Sequence, residues 1–388
     1  MMEGWKEFEL KNVAPYWTNK IDATELNESN YISADNMLPD RGGIVNSVYA
    51  PTSGKSTSFK SKDILVSNIR PYFKKIWYAN FYGGCSNDVI VFRTNNKFAD
   101  SRFVYYYLSK DDFFDYMMAG ANGTKMPRGN KKAITKYKIN LPPLPTQRRI
   151  ASILSAYDDL IENNLKRIKL LEEKAQLTYE EWFVRMKFPG HETTPINEET
   201  GLPEGWEKSY FEGILNFKTG KLDSNALVVD GKYDFYTCAK EVYKTSTYCF
   251  DGEAVLLGGN NATGDFALFY ANDKFDAYQR TYIVTAEKQR VPLVYVFYYL
   301  KKLLSYFQIV SSGASTKFLT MKILNKTKIL IPQAEILNQY QGMIKPCFDL
   351  ILKYDKQNQL LKEARDIMLP RLMMGVIDTD EMEGVHTK

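Results

Sequence analysis

Histidine is almost missing from this chain of 388 residues: His191 and His386 are the only two. The first falls in a Pro/Thr-rich joint between Gly190 and Pro203 and the second in an acidic tail, so a histidine general base in a folded site is not expected. Cysteine is scarce as well. Cys85, Cys238, Cys249 and Cys347 lie far apart without a Cys-x-x-Cys pair. That spacing argues against a zinc site or a disulfide framework and fits a reducing compartment. Long apolar runs are lacking too: the run from Val291 to Leu300 contains Pro292 and stops at Lys301-Lys302, too short to cross a bilayer. The opening residues, MMEGWKEFEL, do not have the charged-then-apolar layout of a signal peptide. A cytoplasmic protein without a membrane partner is expected, in which the sequons at Asn122 and Asn261 carry no sugar.

Motifs that bind phosphate or carry out group transfer are also missing. Ser53-Gly54-Lys55-Ser56-Thr57 resembles the end of a phosphate-binding loop, but Tyr49 stands where that loop needs its first glycine. A solvated turn is the expected structure there. No G-x-G-x-x-G follows a predicted strand, and there is no Asn-Pro-Pro-aromatic or Asp-Pro-Pro-Tyr tetrapeptide of the kind adenine methyltransferases use. Pro142-Pro143 sits between Leu141 and Leu144 and reads as a loop stop before a helix. Carboxylates are scattered, with no pair suggesting a metal-dependent nuclease. Neither a catalytic residue nor a bound cofactor or metal is expected on this chain.

What is present suits a folded protein of two domains. Apolar residues make up 44% and charged residues 25%, which excludes a disordered chain. The 51 lysines and arginines against 46 acidic residues leave a net charge of +5, too mild to argue for nucleic acid unless the cations cluster.

The chain repeats itself on a long period. Glu3-Gly4-Trp5 returns as Glu204-Gly205-Trp206, an offset of 201 (205 − 4). Lys138-Ile139-Asn140-Leu141-Pro142 returns as Lys328-Ile329-Leu330-Ile331-Pro332, an offset of 190 (332 − 142). Between them, Gly123-Thr124-Lys125-Met126 answers to Ser315-Thr316-Lys317-Phe318, an offset of 192 (316 − 124). Three matches in one order describe two copies of one unit, the second shorter inside.

Each copy begins with roughly 140 residues of short β-type runs between Gly, Asn and Asp, a mixed α/β or α+β domain. Strands are expected around Asp63–Val66, Asp88–Phe92, Glu253–Leu257 and Thr281–Val284, and helices over Arg102–Asp115 and Leu293–Gln308. A long helix follows. Ile150, Leu154, Tyr157, Ile161, Asn164, Ile168, Leu171, Ala175, Thr178 and Trp182 alternate steps of four and three, the spacing of a coiled-coil seam. Shifted by 190, the seam recurs as Tyr340, Ile344, Cys347, Ile351, Tyr354, Asn358, Leu361, Arg365, Met368 and Leu372. Pro346 is expected to kink or delay this second helix. Neither seam is polar enough to stand in water, so the two helices are expected to pack antiparallel. The resulting division is 1–146 for the first globular domain, 147–187 for the central helix, 188–333 for the joint and second domain, 334–376 for the distal helix, and 377–388 for the acidic tail.

The cations do cluster. In copy one, Asn68, Arg70, Lys74 and Lys75 lie among aromatics, and Lys125 and Arg128 open a basic Gly/Asn-containing loop. In copy two, Asn260 and Asn261 follow two glycines, Gln279-Arg280 precede a strand, and Thr316-Lys317 occupy the corresponding loop. Lysine and arginine neutralise phosphates, and Asn, Gln and Arg reach base edges. Lys166, Arg167 and Lys169 read as the wet face of the central helix.

The order of these pieces resembles a known family over nearly the whole chain. A globular domain leads through Gly-Thr-Lys-Met and Leu141-Pro142-Pro143-Leu144-Pro145-Thr146-Gln147 into a heptad helix. Leu202-Pro203-Glu204-Gly205-Trp206 then restarts the pattern. This is similar to the specificity subunit of type I restriction-modification systems, with one departure: Pro332-Gln333-Ala334-Glu335 stands where the family has Pro-Pro-Leu. The resemblance implies two target recognition domains, each reading half of an interrupted DNA site. It also implies that two antiparallel helices act as spacer and as dock for methyltransferase subunits. S-adenosylmethionine, ATP and Mg would then belong to those partners and to a motor-nuclease subunit. The competing readings are a coiled-coil scaffold for a complex without DNA, and an orphan specificity subunit serving methylation alone.

Overall fold

The computed structural model describes residues 4–123, 125–287, 290–313 and 315–377. Glu3, Thr124, His386 and nearly all of the acidic tail lie outside the described residues. The chain divides into two compact units. The first is built from residues 1–163 and 358–388, the second from residues 164–357. Both divisions fall inside the long helices, Leu144–Tyr179 and Ala334–Met373, so each unit owns one half of each helix.

In the first unit, Lys6–Glu9 pairs antiparallel with Lys138–Leu141, setting Lys6 opposite Leu141. The strand Ile64–Ser67 lies between Ile76–Tyr78 and Val89–Phe92. The residues of Ile64–Ser67 and Val89–Phe92 are all buried, as expected of apolar runs covered on both faces. A second sheet orders Lys20–Asp22, Lys55–Phe59, Gly83–Cys85 and Tyr31–Ile32. Lys55, Ser56 and Thr57 therefore lie in a strand, and only Ser53 and Gly54 keep the expected turn. The helix anticipated over Arg102–Asp115 is two helices, Ser101–Leu108 and Asp111–Ala119. The break follows from local hydrogen bonding: the Ser109 hydroxyl donates to the Tyr105 carbonyl at 2.8 Å, and Asp111 and Asp112 favour a fresh N-terminus.

Leu154 and Ile150 of the central helix and Leu369 and Leu372 of the distal helix close the core of this unit. Their antiparallel packing carries a partly buried charge network. Arg365 donates to Asp158 Oδ1 at 2.7 Å, and the Tyr106 hydroxyl donates to Asp158 Oδ2 at 2.6 Å. Burial works against the Arg365 charge, but Asp158 and Asp366 outweigh it and raise its pKa. Arginine on an apolar seam is explained by that pairing.

The entry to the central helix is locked by one side chain. Gln147, 1% exposed, donates through Nε2 to the carbonyls of Phe98 at 3.0 Å and Pro142 at 2.8 Å. Its Oε1 accepts from Asp100 N at 2.9 Å. The equivalent position in the second unit, 190 residues on, is the buried Leu337.

The second unit repeats the plan. Glu207–Tyr210 pairs with Lys328–Ile331, setting Glu207 opposite Ile331, which carries over Lys6 and Leu141 by the same offsets of 201 and 190 read from the sequence. The sheet strands form one six-stranded sheet, in the order Leu215–Thr219, Thr281–Ala286, Phe250–Gly258, Leu268–Ala277, Tyr233–Tyr236 and Val242–Thr245. The helix after Pro292 runs unbroken over Leu293–Val310. Here the helices are antiparallel as well: Asn164 donates to Gln357 at 3.2 Å and Arg167 to the Tyr354 hydroxyl at 3.1 Å. Arg167 is exposed, as expected of the helix's wet face, and from there it also reaches across the pair. Trp182, Phe183, Tyr340 and Ile344 join the core, and a π-helical turn over Glu180–Val184 ends the central helix.

The distal helix starts at Ala334 and passes through Pro346 without delay or interruption. Proline removes one i to i−4 bond and crowds the carbonyl at i−4, which here belongs to Gly342, a residue without a side chain to add to the crowding.

Replacing Gln147 with Ala strips partners from one buried N–H and two carbonyls. It is expected to destabilise the first unit by at least about 2 kcal/mol in urea unfolding. Leu337→Ala is expected to cost about 2–5 kcal/mol by leaving a cavity in the second unit.

Candidate nucleic-acid interface

Three segments meet in each unit and are fastened by backbone hydrogen bonds. In the first unit they are the exit of the strand Ile64–Ser67, the turn before Val89, and the loop 122–130. Asn68 N donates to the Asp88 carbonyl at 2.7 Å, Gly129 N to Asn68 at 3.0 Å, and Arg70 N to Pro127 at 2.8 Å. Asn122 and Arg128 exchange two bonds, both 2.9 Å. The second unit repeats this frame. Gly259 N donates to the Arg280 carbonyl at 2.7 Å, Leu319 N to Gly259 at 2.8 Å, and Ser312 and Phe318 bond each other at 3.2 and 2.7 Å. Asn260 and Asn261 form a short ladder with Phe318 and Lys317.

Glycine is required at one corner of the second frame: Gly313 has φ +116°, and a Cβ there would lie 1.9 Å from the Thr316 carbonyl oxygen. Gly123 occupies the same corner of the first frame, at φ +90°.

The frames correct the alignment of the two loops. Asn122–Arg128 and Ser312–Phe318 are matched bridges, an offset of 190 (312 − 122) rather than 192. Lys317 therefore takes the place of Pro127, and Phe318 that of Arg128. A shared Thr-Lys dipeptide is a weaker guide to register than these hydrogen bonds, and the longer-range bridges Ile69–Arg128 and Asn260–Phe318 again put Phe318 in the place of Arg128.

Of the residues singled out from the sequence, Asn68, Arg70 and Arg128 come together in the first frame, with Lys125 exposed on its loop. Asn260, Asn261, Gln279, Arg280, Thr316 and Lys317 lie in the second. Asn261 also holds its turn, its Oδ1 accepting from Thr263 N and Oγ1, both at 2.9 Å, and from Asp265 N at 3.2 Å. Arg70 has a left-handed backbone, φ 49°. Among the described residues, Asn68 Oδ1, Arg70 Nε and Asn260 Oδ1 are buried without a hydrogen-bond partner.

Lys74 and Lys75 are occupied elsewhere. Lys74 pairs with Asp111 at 2.8 Å, and Arg41 joins the same carboxylate. Burial pushes the Asp111 carboxyl up, but the bonds from Lys74 and Arg41 outweigh it and hold its pKa low. The Lys75 ammonium donates to the Ala34 carbonyl at 2.6 Å, and burial lowers its pKa.

Two participants were not singled out from the sequence, Asp88 and Phe318. Arg128 donates to Asp88 through Nε at 3.1 Å and Nη2 at 3.4 Å, and that bond raises the Arg128 pKa. In the second unit, the Arg280 guanidinium lies 5.2 Å from the Phe318 ring centre. Counting copy two against copy one across the turn before Val89 would have drawn attention to Asp88, whose counterpart in the repeat is Arg280.

The model of the type I restriction modification DNA specificity domain matches residues 2–173 and again residues 203–365. The chain is 24% identical over 415 residues to the specificity subunit of the type I restriction enzyme MjaVIII of Methanocaldococcus jannaschii, covering 97% of this chain and 93% of that one. It is 22% identical over 307 residues to the MjaIX specificity subunit of the same organism, covering 73% and 70%. Its fold is similar to that of the type I restriction-modification S subunit from M. genitalium, at a TM-score of 0.65 and 16% identity over 95% and 96% of the two chains. The chain belongs to the family of type I restriction-modification DNA specificity domains, and its two matched segments are two such domains in tandem. DNA sequence specificity within a type I restriction-modification system is its role.

Lys75→Met is expected to lower stability by about 1–2 kcal/mol in thermal unfolding through the lost bond to Ala34, while leaving the salt dependence of DNA binding unchanged. Lys125→Ala is expected to leave stability unchanged and to reduce the slope of log K against log salt by about 0.9, one phosphate contact.

Proposed function

We propose that each unit presents its hydrogen-bonded frame to one half of a two-part DNA site, and that the long helices set the gap between the halves. The observation that carries this reading is the repetition of one three-segment frame in both units, dressed with different cations and amides. Equal backbones with unequal side chains are what two half-sites of different sequence demand. The chain supplies specificity and no catalytic step. Methylation with S-adenosylmethionine, and ATP- and Mg-dependent cleavage, are the work of methyltransferase and motor-nuclease partners.

The helices also offer a surface for the methyltransferase. Leu160 and Leu350 each precede a seam residue by one position, and Leu170, Leu177, Leu360 and Ile367 each follow one by two. These positions are neighbours around a helix, and all six side chains are exposed. The first unit carries Leu160, Leu360 and Ile367; the second carries the equivalents Leu350, Leu170 and Leu177. A surface duplicated residue for residue suits two copies of one partner.

Long-read methylome sequencing of cells expressing this chain with a cognate methyltransferase tests the reading. A methylated two-part motif that vanishes when this chain is deleted is expected, and an unchanged methylome would favour a scaffold without DNA. Matched heptads inserted after Leu165 and after Lys356 lengthen the helix pair by about 10 Å, equivalent to about 3 base pairs. The gap should grow by that amount with both half-sites unchanged. Leu170→Lys with Leu360→Lys should abolish co-purification of the methyltransferase while the purified chain keeps its cooperative unfolding.

A further inference from the structure

The two frames share one position whose side chain has opposite chemistry in the two units. Asp88 and Arg280 each give their backbone carbonyl to the amide at the start of the strand-exit loop, at 2.7 Å in both cases. They therefore stand at the same place relative to the rest of the frame. Each side chain is steadied by the residue at one other shared position. Arg128 grips Asp88 in the first unit, and Phe318 lies beside the Arg280 guanidinium in the second.

We propose that this position is a base-reading slot. It holds an acceptor in the first unit, where Asp88 takes the N4 amino group of a cytosine. It holds a donor in the second, where Arg280 addresses O6 and N7 of a guanine. The assignment rests on the DNA-reading role proposed above.

An anionic side chain in a cation-rich loop repels phosphate, so a purely phosphate-binding frame is poorly served by Asp88. A carboxylate retains free lone pairs after accepting from Arg128, and it matches the donor that cytosine presents in the major groove. Its side chain is 39% exposed and that of Arg128 53%, so both are within reach of a ligand. Arg128 reduces the electrostatic cost of the carboxylate near DNA and fixes its direction. In the second unit, an aromatic face against one side of the guanidinium orients its planar edge of N–H donors without consuming them. That edge matches guanine bidentately.

The test uses the full chain assembled with its methyltransferase, read by methylome sequencing and by binding to a panel of single-base variants of the motif. Asp88→Ala should relax one base pair of one half-site by roughly ten-fold in discrimination or more, leaving the other half-site and the gap intact. Arg280→Ala should do the same at one G·C pair of the opposite half-site. The half-site read by the unmutated unit reports that each variant is folded and assembled. A uniform loss of affinity for every sequence would make Asp88 and Arg280 positioning residues and overturn the assignment. An unchanged motif with unchanged affinity would overturn it as well. Failure of the unmutated chain to direct any two-part motif would instead remove the role on which the assignment rests.

Discussion

The antiparallel seam between the two long helices is the constraint on which the rest of this structure depends. Neither helix belongs to one unit. Ile150 and Leu154 from the start of one and Leu369 and Leu372 from the end of the other complete the first core. Trp182 and Phe183 from the end of the first and Tyr340 and Ile344 from the start of the second complete the other. A helix with a narrow apolar stripe gains its stability from tertiary packing rather than from propensity. Here the packing is supplied twice, by the partner helix and by the globular module. Polar seam residues are accommodated with specific partners, Asn164 with Gln357 and Arg365 with Asp158. Such pairs disfavour slipped registers, in which a buried charge or amide would lose its partner.

Backbone hydrogen bonding within each unit explains the difference between residues that build the frames and residues that decorate them. Main-chain bonds define both frames, so the side chains at positions 88 and 128 in one unit, and 280 and 318 in the other, differ above the same hydrogen-bonded backbone. The same backbone tolerates an ion pair in one unit and a cation over a ring in the other. Specificity can diverge under such an arrangement while the fold stays constant, because exposed side chains contribute little to stability compared with the cores they sit on.

Much of this was legible in the sequence where the signal is local or periodic. The heptad steps located both helices and their seams. The offsets of 201 and 190 matched the strands that close each unit, residue for residue, because those strands flank the restart of the repeat. What escaped was set by interactions distant along the chain. Lys74 and Lys75 read as DNA-contact candidates, and their partners, Asp111 and the Ala34 carbonyl, lie far away in sequence. The helix break at Ser109 and the tolerance of Pro346 depend on which carbonyls a side chain or ring meets, which hydrophobic periodicity does not encode. The shared Thr-Lys dipeptide misaligns the two loops by two residues, because their register is fixed by backbone bridges, within each loop and back to the strand exit some 60 positions earlier, that a dipeptide match does not encode.

The division of the helices has a consequence for synthesis. Every segment of the second unit lies between residues 164 and 357, whereas the first needs residues from both sides of that interval. A nascent chain therefore holds a complete set of parts for its second half before its first half can be finished. The N-terminal module must wait, with the apolar surface around Leu154 uncovered, until Leu369 and Leu372 leave the ribosome. Truncation near the C-terminus would thus damage the beginning of the protein rather than its end.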